Sequence, residues 1–187
     1  MRRVIKVGGS LLAAPQLPCS LTRWLADQGT AENLVLVGGG DLVDAVRRLD
    51  RIRPGDPVDT HWLCIELMET TRRIFANWFD WKSLTSPEGL LQQVRSGFPS
   101  EHPTVVSVQA FYDRDTDIQV PLDWRTTSDT IAAILAITVN ADELVLLKSC
   151  EIDRGHDLPA LSDAGIIDDA MSMLADKIPS IRVEQLC

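Results

Sequence analysis

The amino-acid sequence predicts a three-layer α/β/α sandwich built on a mainly parallel central sheet. Two observations carry that expectation. Short, continuously apolar runs recur along the chain, and segments with helical spacing separate them. Strands buried on both faces lose the apolar–polar alternation of a half-solvated strand and read as such runs. A strand–helix alternation in turn implies right-handed crossovers with helices covering both faces.

The runs are RVIKV (3–7), NLVLV (33–37), TVVSV (104–108), ELVLLK (143–148) and, more weakly, IRVEQL (181–186). Leu17, Leu21, Trp24 and Leu25 mark a first helix. Leu42, Val43, Val46 and Leu49 mark a second, closed by Pro54-Gly55. Trp62, Leu63, Ile65, Leu67 and Ile74 belong to a long third, and Ile131, Ile134 and Leu135 to a fourth that begins near Thr127. The stretch 80–103 is punctuated by Pro87, Gly89, Gly97, Pro99 and Pro103, and reads as a short helix, Glu88 to Val94, between loops. No repeat, low-complexity tract or linker interrupts the pattern, so residues 1–187 are expected to form a single domain.

Composition narrows the function classes. Apolar residues are 45% and charged residues 24% of the chain, which is ordinary globular composition. The net charge of −9 opposes general nucleic-acid binding, because phosphate contact would meet like charge. An anionic ligand would need local N–H donors or lysines. Cys19, Cys64, Cys150 and Cys187 form no C-x-x-C pair, and His61, His102 and His156 add no metal-ligand spacing. Reduced thiols in a cytoplasmic protein with no resident metal are expected. Arg2-Arg3 ahead of apolar residues would suit an export leader, but Lys6 and the glycines interrupt it and no cleavage-like site follows. No run approaches the ~18 apolar residues of a membrane span.

Four constellations could carry chemistry. Two glycine loops, KVGGS (6–10) and VGGGD (37–41), follow two consecutive strands. In an open parallel sheet, ligands gather outside the carboxyl ends of the strands, and glycines there let backbone N–H groups approach an anion. Neither loop fits the dinucleotide fingerprint or the P-loop, which disfavours a dehydrogenase. Taken singly, each loop is equally well a tight turn. Lys6, inside the first apolar run, is costly to bury unless it is paired or points into a polar site. It faces water if that strand is an edge, and a phosphoryl group if it is not. In PLDWRTTSDTIAAILA (121–136), Thr127, Ser128 and Asp129 open a helix. They read either as caps or as groups aimed into the cleft, with Asp129 orienting Lys6 rather than acting as a base. In LVLLKSCEIDRG (144–155), Lys148 and Ser149 end a buried strand, with Asp153 in the polar turn beyond. His61 and Trp62 open the third helix, where packing competes with ligand contact.

The ordered set VIKVGGSLL, LVLVGGGDLVD, TSDTIAAILA and ADELVLLKS resembles the amino acid kinase family, over nearly the whole chain. Within it, HW (61–62), DWRTTSD (123–129) and AGIIDDAM (164–171) are most similar to the aminomethylfuran phosphate kinases of methanofuran biosynthesis. The resemblance implies in-line transfer from ATP, with Mg²⁺ carried by the nucleotide, to a small phosphate-bearing acceptor. It implies that Lys6, Asp129 and Lys148 are catalytic, and that Gly8, Gly9 and Ser10 hold phosphate oxygens. It places Gly38, Gly39, Gly40, Asp41, His61, Trp62, Trp124, Thr127 and Ser128 against the acceptor, and Lys148, Ser149 and Asp153 against the nucleotide. Asp41, Asp123, Trp62 and Trp124 are its candidates for the acceptor's ammonium group. It further implies a homo-oligomer, with Trp62 and Trp78 of the third helix available to an interface.

One feature departs from the family. Many members carry a second lysine late in the chain, in a G-M-x-x-K pattern, whereas Gly165-Ile166-Ile167-Asp168-Asp169 has aspartate there. Either Lys148 supplies the second positive charge, or the chain is a weak or non-catalytic member that binds or regulates. A carboxylate acceptor, or another phosphate acceptor, stays open beside the furan phosphate.

Overall fold

The computed structural model describes residues 1–152, 155 and 157–186. Six parallel strands form one sheet in the order β3-β4-β2-β1-β5-β6. Five of them are the expected runs: β1 (Arg2–Val7), β2 (Glu32–Val37), β4 (Thr104–Val106), β5 (Glu143–Lys148) and β6 (Ile181–Gln185). β4 stops at Val106, and Val108–Ala110 turn into a 3-10 helix instead of extending it. The remaining strand, β3 (Lys82–Leu84), falls where the sequence predicts a loop. It is an edge strand of three residues with Lys82 and Ser83 exposed, so it carries neither an apolar run nor alternation.

The helices are α1 (Leu17–Ala26), α2 (Gly40–Ile52), α3 (Pro57–Ala76), α4 (Pro87–Ser96), α5 (Ser128–Thr138) and α6 (Leu158–Asp163). Asp56 and Ser86 cap α3 and α4 by accepting backbone N–H bonds, and Pro57 and Pro87 stand at the first helical positions. α6 was not expected. It is too short to show a period and buries only Leu161.

The side-chain period of two sorts the core onto the two faces of the sheet. Val4, Leu34, Leu36, Val106, Leu144 and Leu146 pack with residues of α3, α4 and α5. Ile5, Val7, Val35, Val37, Val105, Val145 and Leu147 pack with Leu17 and Leu21 of α1 and with Phe75. β1 lies between β2 and β5 at the point where the strand order reverses, which is where an open sheet leaves a crevice.

The two glycine loops meet over that crevice. The N–H groups of Gly8 and Gly38 donate to the carbonyls of Leu147 (2.9 Å) and Val7 (3.0 Å), continuing the ladders on both sides of β1. A Cβ on Gly9 would stand 2.1 Å from the nitrogen of Gly40, and one on Gly38 would stand 2.8 Å from the nitrogen of Gly9. Gly40 itself has φ +54°. These glycines therefore exist first for the contact of loop with loop. Gly9→Ala forces the loops apart and is expected to cost about 1–3 kcal/mol, read as a lowered denaturation midpoint. An unchanged midpoint would contradict the close approach.

Candidate active site

Register brings the two lysines together. Lys6 pairs with Leu146 across β1 and β5, and Lys148 lies two residues beyond Leu146. Both therefore project from the same sheet face, near the carboxyl ends of adjacent strands. α5 covers that face with Ile131, Ala132, Ile134 and Leu135, all fully buried, and its first turn carries Asp129. Lys6 Nζ stands 2.9 Å from Asp129 Oδ1, and Lys148 Nζ stands 2.6 Å from Oδ2. Side-chain exposure is 5% for Lys6, 4% for Asp129 and 12% for Lys148. The Lys148 contact is an aligned hydrogen bond. The Lys6 contact is close enough for an ion pair, yet among the described residues Asp129 Oδ1 has no hydrogen bond of good geometry. β1 is a central strand, so the edge-strand reading of Lys6 is excluded.

Charge follows from this geometry. Burial alone would push the Asp129 carboxyl up. The ammonium groups of Lys6 and Lys148 overcome it and hold the carboxyl below the ordinary carboxylate value. Burial and the neighbouring Lys6 push the Lys148 ammonium below the usual lysine value, against the pull of Asp129 and Asp168. Asp129 is thus an ionised organiser and a poor proton acceptor. Two ammonium groups share one carboxylate, so this triad carries a net positive charge at the wall of the cleft.

The cleft encloses about 730 Å³. It is lined by Lys6, Gly9, Ser10, Gly39, Gly40, His61, Trp124, Thr127, Ser128, Asp129, Lys148 and Ser149 of the sequence-predicted residues. Ser10 Oγ and Ser149 Oγ are 2.8 Å apart, joining the loops after β1 and β5. Of the other predicted residues, Gly8, Gly38, Asp41 and Trp62 are not part of the lining. The N–H groups of Gly8 and Gly38 are occupied by the sheet ladder, so neither is free to hold phosphate. Asp41 is exposed in the first turn of α2, outside the lining. Trp62 is buried and stacks on Tyr112 at 5.1 Å, so it packs the core instead of facing the cleft. Asp153 lies outside the described residues. The Thr127 hydroxyl is engaged by Asp168 rather than free for a ligand.

On the side of α2 and α3, burial lowers the His61 imidazole from its ordinary value, so it is neutral at pH 7, and its Nε2 bonds the Tyr112 hydroxyl at 3.1 Å. The Trp124 indole donates to Asp50 Oδ2 at 2.8 Å, and the Arg47 guanidinium lies 4.7 Å from its ring centroid. Asp123 lines the cleft with its carboxylate held by Arg125. Arg47 and Asp168, which line the cleft, lie beyond sequence reasoning as site residues. The departure from the late-lysine pattern falls on the next residue, Asp169, and gave no signal for Asp168. Among the described residues no group of three or more His, Cys, Asp or Glu is placed to hold a metal ion, and no helix is long and apolar enough to cross a membrane. Cys19, Cys64 and Cys150 are free thiols.

Removing the shared carboxylate leaves two ammonium groups facing one another. Asp129→Asn is expected to destabilise the protein by about 3–5 kcal/mol at neutral pH. Asp129 has a depressed folded-state pKa, so its contribution is present above the ordinary carboxylate value and is lost as pH falls through the lowered one. The gap between parent and variant should therefore close in strong acid, as read by denaturant titration at neutral and low pH. A gap independent of pH would contradict the ion-pair account.

Comparisons with known proteins agree with the architecture. The amino acid kinase family model matches residues 1–151. Uridylate kinase from Archaeoglobus fulgidus is similar with a TM-score of 0.61 at 15% identity, over 98% of this chain and 91% of that one. UMP kinase from Ureaplasma parvum gives 0.66 at 12% identity, over 100% and 90%. Aspartate kinase from Synechocystis gives 0.65 at 17% identity, over 98% of this chain but 38% of that one. A search of curated proteins gives no significant match. Identities this low speak to the fold alone, but the family match spans far more than half the sequence, and the chain belongs to the amino acid kinase family.

Proposed function

We propose that this protein transfers the γ-phosphoryl group of Mg-ATP to a small phosphate-bearing acceptor. The observation that carries the proposal is the buried Lys6–Asp129–Lys148 triad at the head of the cleft. Phosphoryl transfer needs little covalent help from the protein. It needs charge compensation fixed in place before the reaction. Lys6 and Lys148 supply that compensation, and Asp129 holds them at a set separation. The residues present fit a polyphosphate, since the triad offers more cation than anion and Gly9, Gly39 and Gly40 bring backbone close to the cleft. Ser10 and Ser149 mark the side assigned to the nucleotide, whose Mg²⁺ travels with it.

The acceptor we assign is (aminomethylfuranyl)methyl phosphate, converted to its diphosphate as in methanofuran biosynthesis. Trp124 offers a flat ring for the furan and neutral His61 a polar neighbour, while Asp123 would serve the ammonium as a counter-charge only by giving up its pairing with Arg125. A second reading, a binding or regulatory subunit without turnover, is favoured by Asp169 in the place of the late family lysine. The position of Lys148 beside Asp129 weighs against it. The exposed Leu63 and Ile74 of α3, with Trp78 just beyond its end, support a homo-oligomer.

The test is ADP release from Mg-ATP across a panel of phosphate and carboxylate acceptors, with the product identified by phosphorus NMR. The furan phosphate should give acceptor-dependent ADP and a diphosphate. Lys6→Ala should lower the rate on the order of 100- to 1000-fold while the protein stays folded. No ADP with the furan phosphate removes that acceptor, and ATP binding without turnover of any acceptor favours the second reading.

A further inference from the structure

Asp168 lies in the segment after α6, at the start of the 3-10 turn Asp169–Met173, and lines the cleft. Its carboxylate gathers donors from two parts of the chain. Oδ2 accepts the N–H of Thr127 (2.7 Å), the hydroxyl of Thr127 (2.8 Å) and the N–H of Thr130 (3.1 Å). Oδ1 accepts the hydroxyl of Thr130 and the N–H of Met171 (3.1 Å). The N–H of Ala170 donates to the carbonyl of Arg125 at 3.0 Å, fastening the same turn to the loop ahead of α5.

Two features set this apart from ordinary helix capping. The N-cap residue of α5, Thr127, makes no side-chain cap of its own, so the first turn is satisfied from a distant segment. The cap is also an anion buried close to a second anion, Asp129. Burial, and after it the proximity of Asp129, push the Asp168 carboxyl up, against the pull of the threonine donors. A neutral Asn or Ser would cap a helix start without this cost. What the charge adds is its field on Lys148, whose ammonium contacts Asp129 of α5 and shares that carboxylate with Lys6 of β1. Lys6 disfavours the ammonium, and the carboxylates of Asp129 and Asp168 favour it.

We propose that Asp168 is a positioning residue for phosphoryl transfer: by gripping Thr127 and Thr130, which bracket Asp129 in the chain, it fixes the Asp129–Lys148 contact. The inference rests on reading the cleft as a phosphoryl-transfer site. It also accounts for the departure at Gly165–Asp169: the segment that carries a late lysine in other members here carries the anion that supports Lys148.

Two variants of the full chain test it. Asp168→Asn removes the charge, and Thr130→Val removes one hydroxyl donor while leaving the carboxylate. The readout is the titration midpoint of Lys148, followed by NMR on ¹³C-lysine-labelled protein with the resonance assigned by Lys148→Arg. The midpoint should fall in both variants, further in Asp168→Asn. With an active acceptor, kcat should fall on the order of 10- to 100-fold with KM little changed. A cap with a merely structural role lowers Tm and leaves the midpoint where it is in the parent, and that result overturns the proposal. If Asp168→Asn does not fold, the Thr130→Val midpoint decides alone. If the parent turns over no acceptor, the proposed function fails, and the midpoint still decides the role of Asp168.

Discussion

The structure depends on one carboxylate held between two ammonium groups. An isolated buried lysine costs several kcal/mol or gives up its proton. Two of them on adjacent central strands are tolerable only with a counter-charge between them. Asp129 provides it from the first turn of α5, and this fixes how the helix sits on the sheet as well as the charge of the cleft. Beyond its first turn, where Thr130 is also held by Asp168, α5 is mostly apolar, and packing alone would leave its position along the strands loosely specified. The ion pairs specify it.

A second constraint is backbone proximity. The loops after β1 and β2 touch through Gly9, Gly38 and Gly40, at separations no side chain would permit. That contact pulls the start of α2 and the loop after β1 onto the same edge as the lysines.

The sheet was legible because burial on both faces writes itself as continuous apolar runs, as in ELVLLK and NLVLV. β3 was not, since a three-residue edge strand with Lys82 and Ser83 in solvent has no such signature. At the site, Lys6, Asp129 and Lys148 stood out because charged residues interrupt or end apolar segments. Trp62 and Asp41 show the limit of that logic: a helical aromatic can as easily stack on Tyr112, and an acid in a first helical turn can as easily face water. Asp168 was beyond reach, because its partners at Thr127 and Thr130 are set by how a late segment folds back.

The central claim is that Lys6 and Lys148 act as one unit through Asp129. A double-mutant cycle on single-turnover phosphoryl transfer tests it directly, comparing Lys6→Ala, Lys148→Ala and the pair. The account predicts strong non-additivity, with the double variant little slower than the slower single variant. Losses that simply multiply would show two independent lysines and contradict it.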